Sequence, residues 1–288
     1  MKKINNTKLI PLLLTPLLVV VMAVPTMSKA AQPTVNLGTT STFAVLAGST
    51  ITNTGTTTIN GEVGGDVGVF PGTVFTGRSS ATVSGSVHLA DSVASKAKDD
   101  LVIAYKDAEG RTPVTTIPTE LGGTTLKPGV YDSADGTFQI TGTLTLDAQG
   151  DPDGVFVFKT ASTLKTASSS KVKLINGARF CRTFWKVGSS ATLGTNSYFV
   201  GHIFALTSIT ATTGATVQGQ LLARNGAVTL DNNTITNGPC ETSGHSTPPT
   251  VTGGQLPKTS THLYELLLIG AALTLVGAIG WRSRKRYE

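Results

Sequence analysis

Residues 188–236 read GSSATLGTNSYFVGHIFA (188–205), LTSITATTGATVQGQLLA (206–223) and RNGAVTLDNNTIT (224–236), three passes over one pattern. Phe199-x-Gly201 returns as Val217-x-Gly219, and Ile203-Phe204-Ala205 returns as Leu221-Leu222-Ala223, each 18 positions on. Thr192, Thr210 and Thr229 mark one point of the cycle at steps of 18 and 19. A short repeat of β-formers punctuated by Gly and Asn is the pattern of a β-solenoid. Its coils pair at about 4.8 Å, so residues one period apart stack into columns.

Taking Ile209 and Val228 as inward, the outward positions are Ser190 and Thr192, then Ser208 and Thr210, then Ala227 and Thr229. Three residues after each Thr come Thr195, Thr213 and Asn232, and the earlier pair Thr163 and Thr166 fits the same spacing. Ranked hydroxyls and methyls on a flat face are stiff, because β-branched side chains have restricted rotamers. Such a face can hold water in lattice-like order, the methyls confining it and the hydroxyls anchoring it. The competing reading is that Thr is simply a good surface residue for strands.

The chain is long enough for one large all-β domain with processing segments at both ends. From 35 to 87 it alternates strand and turn signals. Thr50-Ile51-Thr52 there echoes Ser208-Ile209-Thr210, so these residues are expected to add coils to the same solenoid. Residues 90–108 differ: Ala90, Val93, Ala94, Ala97, Leu101, Ala104, Tyr105 and Ala108 recur at helical spacing, with Asp91 or Ser92 placed to cap. An amphipathic helix must bury its stripe. If Ile203 and Ala205 point inward, Phe204 points outward, as does Leu222, and this helix is the available cover. Residues 112–187 return to strands, and Glu241 to Gln255 has the Ser/Thr/Pro/Gly composition of a flexible linker.

The net charge of +6 belongs to the ends. Eight of the 23 basic residues and two of the 17 acidic ones fall outside 31–259, leaving that stretch neutral. Nucleic-acid binding loses its electrostatic support. Residues 1–30 have a basic start, an apolar run and small residues at Ser28 and Ala30, the pattern of a secretory signal peptide. In an exported chain Cys181 and Cys240 are expected to form a disulfide.

At the other end Leu256-Pro257-Lys258-Thr259-Ser260 precedes an apolar segment (266–281) and RSRKRYE. The arrangement resembles the sortase sorting signal of Gram-positive surface proteins. That resemblance implies cleavage after Thr259 and transfer to cell-wall peptidoglycan, with a membrane contact only through the apolar segment before processing. Ser260 stands where the family has Gly.

Catalytic motifs are absent: no G-x-S-x-G, no H-E-x-x-H and no C-x-x-C. Asp147, Asp151 and Asp153 ahead of Gly154 lack EF-hand spacing and read as a turn rather than a calcium loop. His202 falls on the face assigned to the helix, a packing position. An enzyme reading lacks a nucleophile or metal cluster, and no cofactor or metal is implied.

The run from Val155-Phe156-Val157-Phe158 through Phe184-Trp185 to Thr195, with Ala227-Val228-Thr229-Leu230-Asp231, resembles the microbial ice-binding proteins of the solenoid-plus-helix type. So do Phe43-Ala44-Val45-Leu46-Ala47-Gly48-Ser49 and Leu126-x-Pro128-Gly129-Val130-Tyr131. The resemblance covers roughly residues 35–240. It implies a mainly β fold, a discontinuous right-handed β-solenoid of triangular section with one long helix alongside. It also implies a flat face that binds ice, often through T-A/G-x-T/N. Thr210-Ala211-Thr212-Thr213 fits that motif. Thr192-Leu193-Gly194-Thr195, Thr229-Leu230-Asp231-Asn232 and Thr163-Leu164-Lys165-Thr166 keep its ends but place Leu second, and Lys165 and Asp231 bring charge to the edge.

The expectation is therefore a secreted, wall-anchored, non-enzymatic protein in four parts: 1–30, a solenoid over 31–240, a linker over 241–255, and a sorting signal over 256–288. Its expected partner is the surface of an ice crystal. The alternative is a surface adhesin using the same scaffold for a glycan or protein ligand.

Overall fold

The computed structural model describes residues 32–61 and 63–240, which fall within one compact unit. The signal-peptide, linker and sorting-signal expectations lie outside the described residues. Every paired strand runs parallel to its neighbour, in a sheet of 15 strands and a sheet of seven. The larger sheet forms two faces, because strands Tyr198–Ala205 and Thr216–Ala223 belong to both. Tyr198 pairs with Lys171 on one face, while His202 to Ala205 pair with Phe184 to Val187 on the other.

The turn between these faces falls at Gly201 and Gly219, whose φ values are 111° and 140°. A Cβ at Gly201 would sit 2.7 Å from the Thr183 carbonyl oxygen, and one at Gly219 2.1 Å from that of Gly201. Only glycine supplies both the angle and the clearance. This is why Phe199-x-Gly201 and Val217-x-Gly219 recur together.

Register carries the core. Tyr131, Phe158, Trp185, Ile203, Leu221, Val45, Val67 and Val87 stack as one inward column. Phe158 lies on Trp185 at 3.9 Å between ring centroids, and the indole N–H donates to the Val200 carbonyl at 3.0 Å. The coils are stacked out of chain order. Val228 of the last coil pairs with Ile51 of the first, and Ile235 pairs with Ile59, so the N-terminal coils sit on top of the C-terminal one.

The helix then carries the chain back along the stack. It runs Ser92–Gly110, two residues later at each end than the 90–108 expected. Ala90 has φ 53°, a left-handed conformation that cannot open a helix, and Asp91 accepts from the Ala94 amide at 2.8 Å as the cap. Nineteen residues rise about 28 Å, close to the height of six coils. Ala97, Leu101, Ala104, Tyr105 and Ala108 bury against Phe43, Leu46, Val157, Phe184, Phe204 and Leu222, the outward apolar column read from the repeat. Lys98 fastens the contact by donating to the Ala223 and Arg224 carbonyls.

Cys181 and Cys240 are joined, with their Cα atoms 5.6 Å apart and their positions 59 apart in sequence. Phe204→Ala removes a fully buried ring from the seam between helix and coil, and should lower unfolding free energy by about 3–5 kcal/mol. Urea denaturation followed by circular dichroism measures it.

Candidate functional site

The seven-stranded sheet is the bare face. Its order is Phe138–Ile140, Leu164–Thr166, Ala191–Leu193, Ile209–Ala211, Val228–Asp231, Thr50–Thr54, Val74–Thr76. Most of these strands are three residues long, so period-two alternation leaves one central residue outward between two inward ones. The register aligns Gln139, Lys165, Thr192, Thr210, Thr229, Thr52 and Thr76 in a single outward column. Five consecutive threonines therefore stand one coil apart. Thr52 and Thr76 are additions to the sequence reading. The echo between 50–52 and 208–210 was the signal for Thr52.

A second column follows the turn after each strand. Ser169, Asn196, Gly214, Asn232 and Gly55 hold positive φ, between 50° and 73°. Ser169 N–H donates to the Thr195 carbonyl, Asn196 to Thr213, Gly214 to Asp231, and Asn232 to Thr54. The residues just before the left-handed position thus align as Ser168, Thr195, Thr213, Asp231 and Thr54. Thr195 and Thr213 lie where the spacing put them.

Asn232 does not. The turn after Thr229 is one residue shorter, so Asp231 stands beside Thr213 and accepts its hydroxyl at 2.5 Å, while Asn232 occupies the left-handed corner. The Asn232 side chain there accepts from the Thr56 amide.

The pair Thr163 and Thr166 is also corrected. Leu164 N–H donates to Ser190, as Ala191 does to Ser208 and Ile209 to Ala227, so Thr163 aligns with Ser190 and Ser208 rather than with Thr192. Lys165 takes the central place. Thr166 is 8% exposed and points into the coil, where its hydroxyl accepts from the Gly194 amide at 2.8 Å. The two serines serve the turns: Ser190 Oγ accepts from Ser208 N–H, and Ser208 Oγ from Ala227 N–H.

The central threonines are half-buried by their neighbours, which fixes their methyl and hydroxyl groups in place. Charge enters at Lys165 and Asp231 only, among the residues of these two columns. Rigid alternation of methyl and hydroxyl at coil spacing can order water.

Residues 45–236 match the protein family described as Ice-binding-like. The chain belongs to the ice-binding-like family. It is 47% identical to an ice-binding protein of Nostoc sp. (strain HG1) over a stretch making up 53% of this chain and 56% of that one. The chain thus spans little more than half the length of that relative. A solved ice-binding protein from an Antarctic biological consortium aligns with a TM-score of 0.69 at 44% identity, covering 72% of this chain and 92% of that one. Another, from the Antarctic ascomycete Antarctomyces psychrotrophicus, gives a TM-score of 0.66 at 41% identity, with 70% and 98% covered. Residues 248–287 match the LPXTG cell wall anchor motif, beyond the described residues.

Among the described residues, no group of three or more His, Cys, Asp and Glu side chains gathers to hold a metal. Asp147 binds the Gln149 amide and Asn176, Asp151 the Asp153 amide, and Asp153 forms an ion pair with Arg182 at 2.8 Å. These are turn roles. In this member of the ice-binding-like family His202 packs against Phe184 at 5.3 Å and is 2% exposed. It lies in register with Gln220, and its two ring nitrogens and the Gln220 Oε1 are buried without a hydrogen-bond partner.

Burial pushes the His202 imidazole down to about 4 from the ordinary 6.5. Between those values the unfolded chain takes a proton that the folded chain refuses, so stability falls as pH drops from about 6.5 toward 4. Above 6.5 the group contributes no pH dependence. His202→Phe should remove about 2–3 kcal/mol of the stability loss between pH 7.5 and pH 4.5, measured by urea titrations at both values.

Proposed function

We propose that the protein is an envelope-tethered ice-binding protein, adsorbing to ice through the bare face of the solenoid. The observation that carries the reading is the five-threonine column Thr192, Thr210, Thr229, Thr52 and Thr76, continued at the turn by Ser168, Thr195, Thr213 and Thr54. Its coil-to-coil step of about 4.8 Å repeats identical groups along one axis, as a crystalline water lattice does. Water ordered on such a template joins an ice front with little further rearrangement. The reaction class is none: the face binds a phase and leaves it chemically unchanged. Family membership and the ice-binding relatives support this assignment.

The LPXTG match supports a surface protein held at the wall. A finer reading follows from the resemblance of residues 256–288. The chain is exported by its 1–30 segment, joined at Thr259 to the peptidoglycan of a Gram-positive envelope by a sortase, and spaced from it by 241–255. Attachment there would place the bare face at the cell surface. Local arrest of ice growth, or adhesion of the cell to ice, is the physiological outcome.

Thr210→Tyr and Thr229→Tyr each set a ring across the centre of the column without touching the core. Each should abolish most thermal hysteresis and ice-crystal faceting while leaving the unfolding midpoint unchanged. Absence of hysteresis and faceting in the well-folded parent protein refutes the proposal.

Lys165 interrupts the column where the repeat otherwise sets Thr, and a strongly hydrated ammonium disrupts ordered water around it. Lys165→Thr should raise thermal hysteresis by lengthening the threonine column to six. Hysteresis at matched protein concentration checks it, and a decrease would place the ice contact away from that end.

A further inference from the structure

The third face of the solenoid has a different chemistry from the other two. Strands Thr143–Asp147 and Lys171–Ile175 pair along their full length, yet Lys171–Ile175 meets the next coil at one position only, Lys171 with Tyr198. The reason is the turn at Gly201: strand Tyr198–Ala205 leaves for the helix-covered face, while Lys171–Ile175 continues along the third face as far as the Asn176 turn. The ladder opens there into a trough. Two depressions of about 400 and 470 Å³ occupy it, and they share Leu174 and Gln218 in their walls. Each has the volume of a small-molecule site.

Cations border this trough. Lys171 and Lys173 project from its lower strand, two residues apart and so on one side of the strand. Both are exposed, and neither forms an ion pair among the described residues. Arg179 stands at the far end, and its Nε is buried with no hydrogen-bond partner. The nearest carboxylate along the sheet, Asp147, is occupied by the Gln149 amide and Asn176, which hold its pKa below the ordinary carboxylate value.

An aromatic ring lies beside the two lysines, in register with Lys171. Tyr198 is 40% exposed, and its hydroxyl donates to Gln218 Oε1 at 3.2 Å, tying the ring along the trough. Gln218 and Asn60 add side-chain amides, and Thr236 a hydroxyl. The walls at the Arg179 end are the segments just before Cys181 and Cys240, which the disulfide clamps together.

We propose that this trough is a binding groove for an acidic polysaccharide, independent of the ice contact. A pyranose ring presents apolar C–H groups to the Tyr198 face. Its hydroxyls meet the amides of Gln218 and Asn60. Carboxylates along the chain meet Lys171, Lys173 and Arg179. The amphipathic ring beside unpaired cations distinguishes a charged glycan from a bare polyanion, which has no face to stack, and from a neutral glycan, which leaves the cations unmatched. The groove opens on a different face from the threonine column, so ice and glycan can be held together. The match to a cell wall anchor motif places a protein of this kind among polysaccharides.

The test uses the full-length protein and three probes in calorimetric titrations: polygalacturonate, neutral dextran of equal length, and inorganic polyphosphate. Polygalacturonate should bind with an affinity that falls with added salt, dextran should not bind, and polyphosphate should bind more weakly. Lys171→Ser with Lys173→Ser should weaken polygalacturonate binding by about tenfold or more. Tyr198→Thr should weaken it by about tenfold while leaving polyphosphate binding unchanged. All three positions are exposed, and unchanged circular dichroism confirms that the variants fold. The proposal is overturned by absent polygalacturonate binding, by dextran or polyphosphate binding equally well, or by affinities that these substitutions do not alter.

Discussion

In-register parallel stacking is the constraint on which everything else depends. Each coil must return to the same point before the next begins, so that Trp185 falls on Phe158, and Thr210 falls beside Thr192. The same hydrogen-bond ladder that satisfies the backbone also aligns the inward column and the outward ones. Core and surface periodicities are one periodicity. A slip of one residue would send Ile209 to water and Thr210 to the core, which explains the strength of the register.

Stacking alone leaves unfinished business at the ends and on one face. A parallel stack has two exposed edges, and this chain assembles its stack from both termini rather than winding it from one end. The first coils settle on the last one through Ile51, Val45 and Ile59, so the chain must then travel back to start the coils beneath. The helix makes that journey. Because it lies along the stack, its alanines can approach the outward column of Phe184, Phe204 and Leu222 closely, and the face that would have been an exposed apolar patch becomes a second core. The return path and the face cover are one device, which accounts for a single long helix in an otherwise β domain.

The sequence makes part of this legible. The 18-residue step predicts the solenoid, the outward Phe204 and Leu222 and the Thr192–Thr210–Thr229 column, and the register bears these out. Helical spacing predicts the covering helix, which forms two residues later at each end, and an even cysteine pair in an exported chain predicts the disulfide, which is present. What escapes it is contact between segments far apart in the chain. Thr52 and Thr76 join the column only because the first coils sit on the last, a pairing that no local period encodes. Thr166 and Asn232 mislead for a narrower reason. Counting three residues from a Thr assumes equal turns, whereas the turn after Thr229 is one residue short and the earlier coil is offset by two. Hydroxyl side chains at the right interval look alike in sequence whether they face water or cap a backbone amide, as Thr166 does. The trough was not legible at all, since it arises where two strands stop pairing.

A neutral domain can still be divided, and here the division follows the faces. The bare face carries threonine and serine with charge confined to Lys165 and Asp231, while the third face carries Lys171, Lys173 and Arg179 beside Tyr198. Solubility requires charge somewhere on a surface this large, and each charge disrupts structured water around it. Placing cations on a face that points elsewhere relieves the threonine column of that duty. The helix-covered face takes a share of the charge as well, since the solvent side of the helix exposes Lys96, Asp99, Lys106 and Glu109. In a three-faced coil, charge carried by the other two faces leaves the third free to be flat and nearly uncharged.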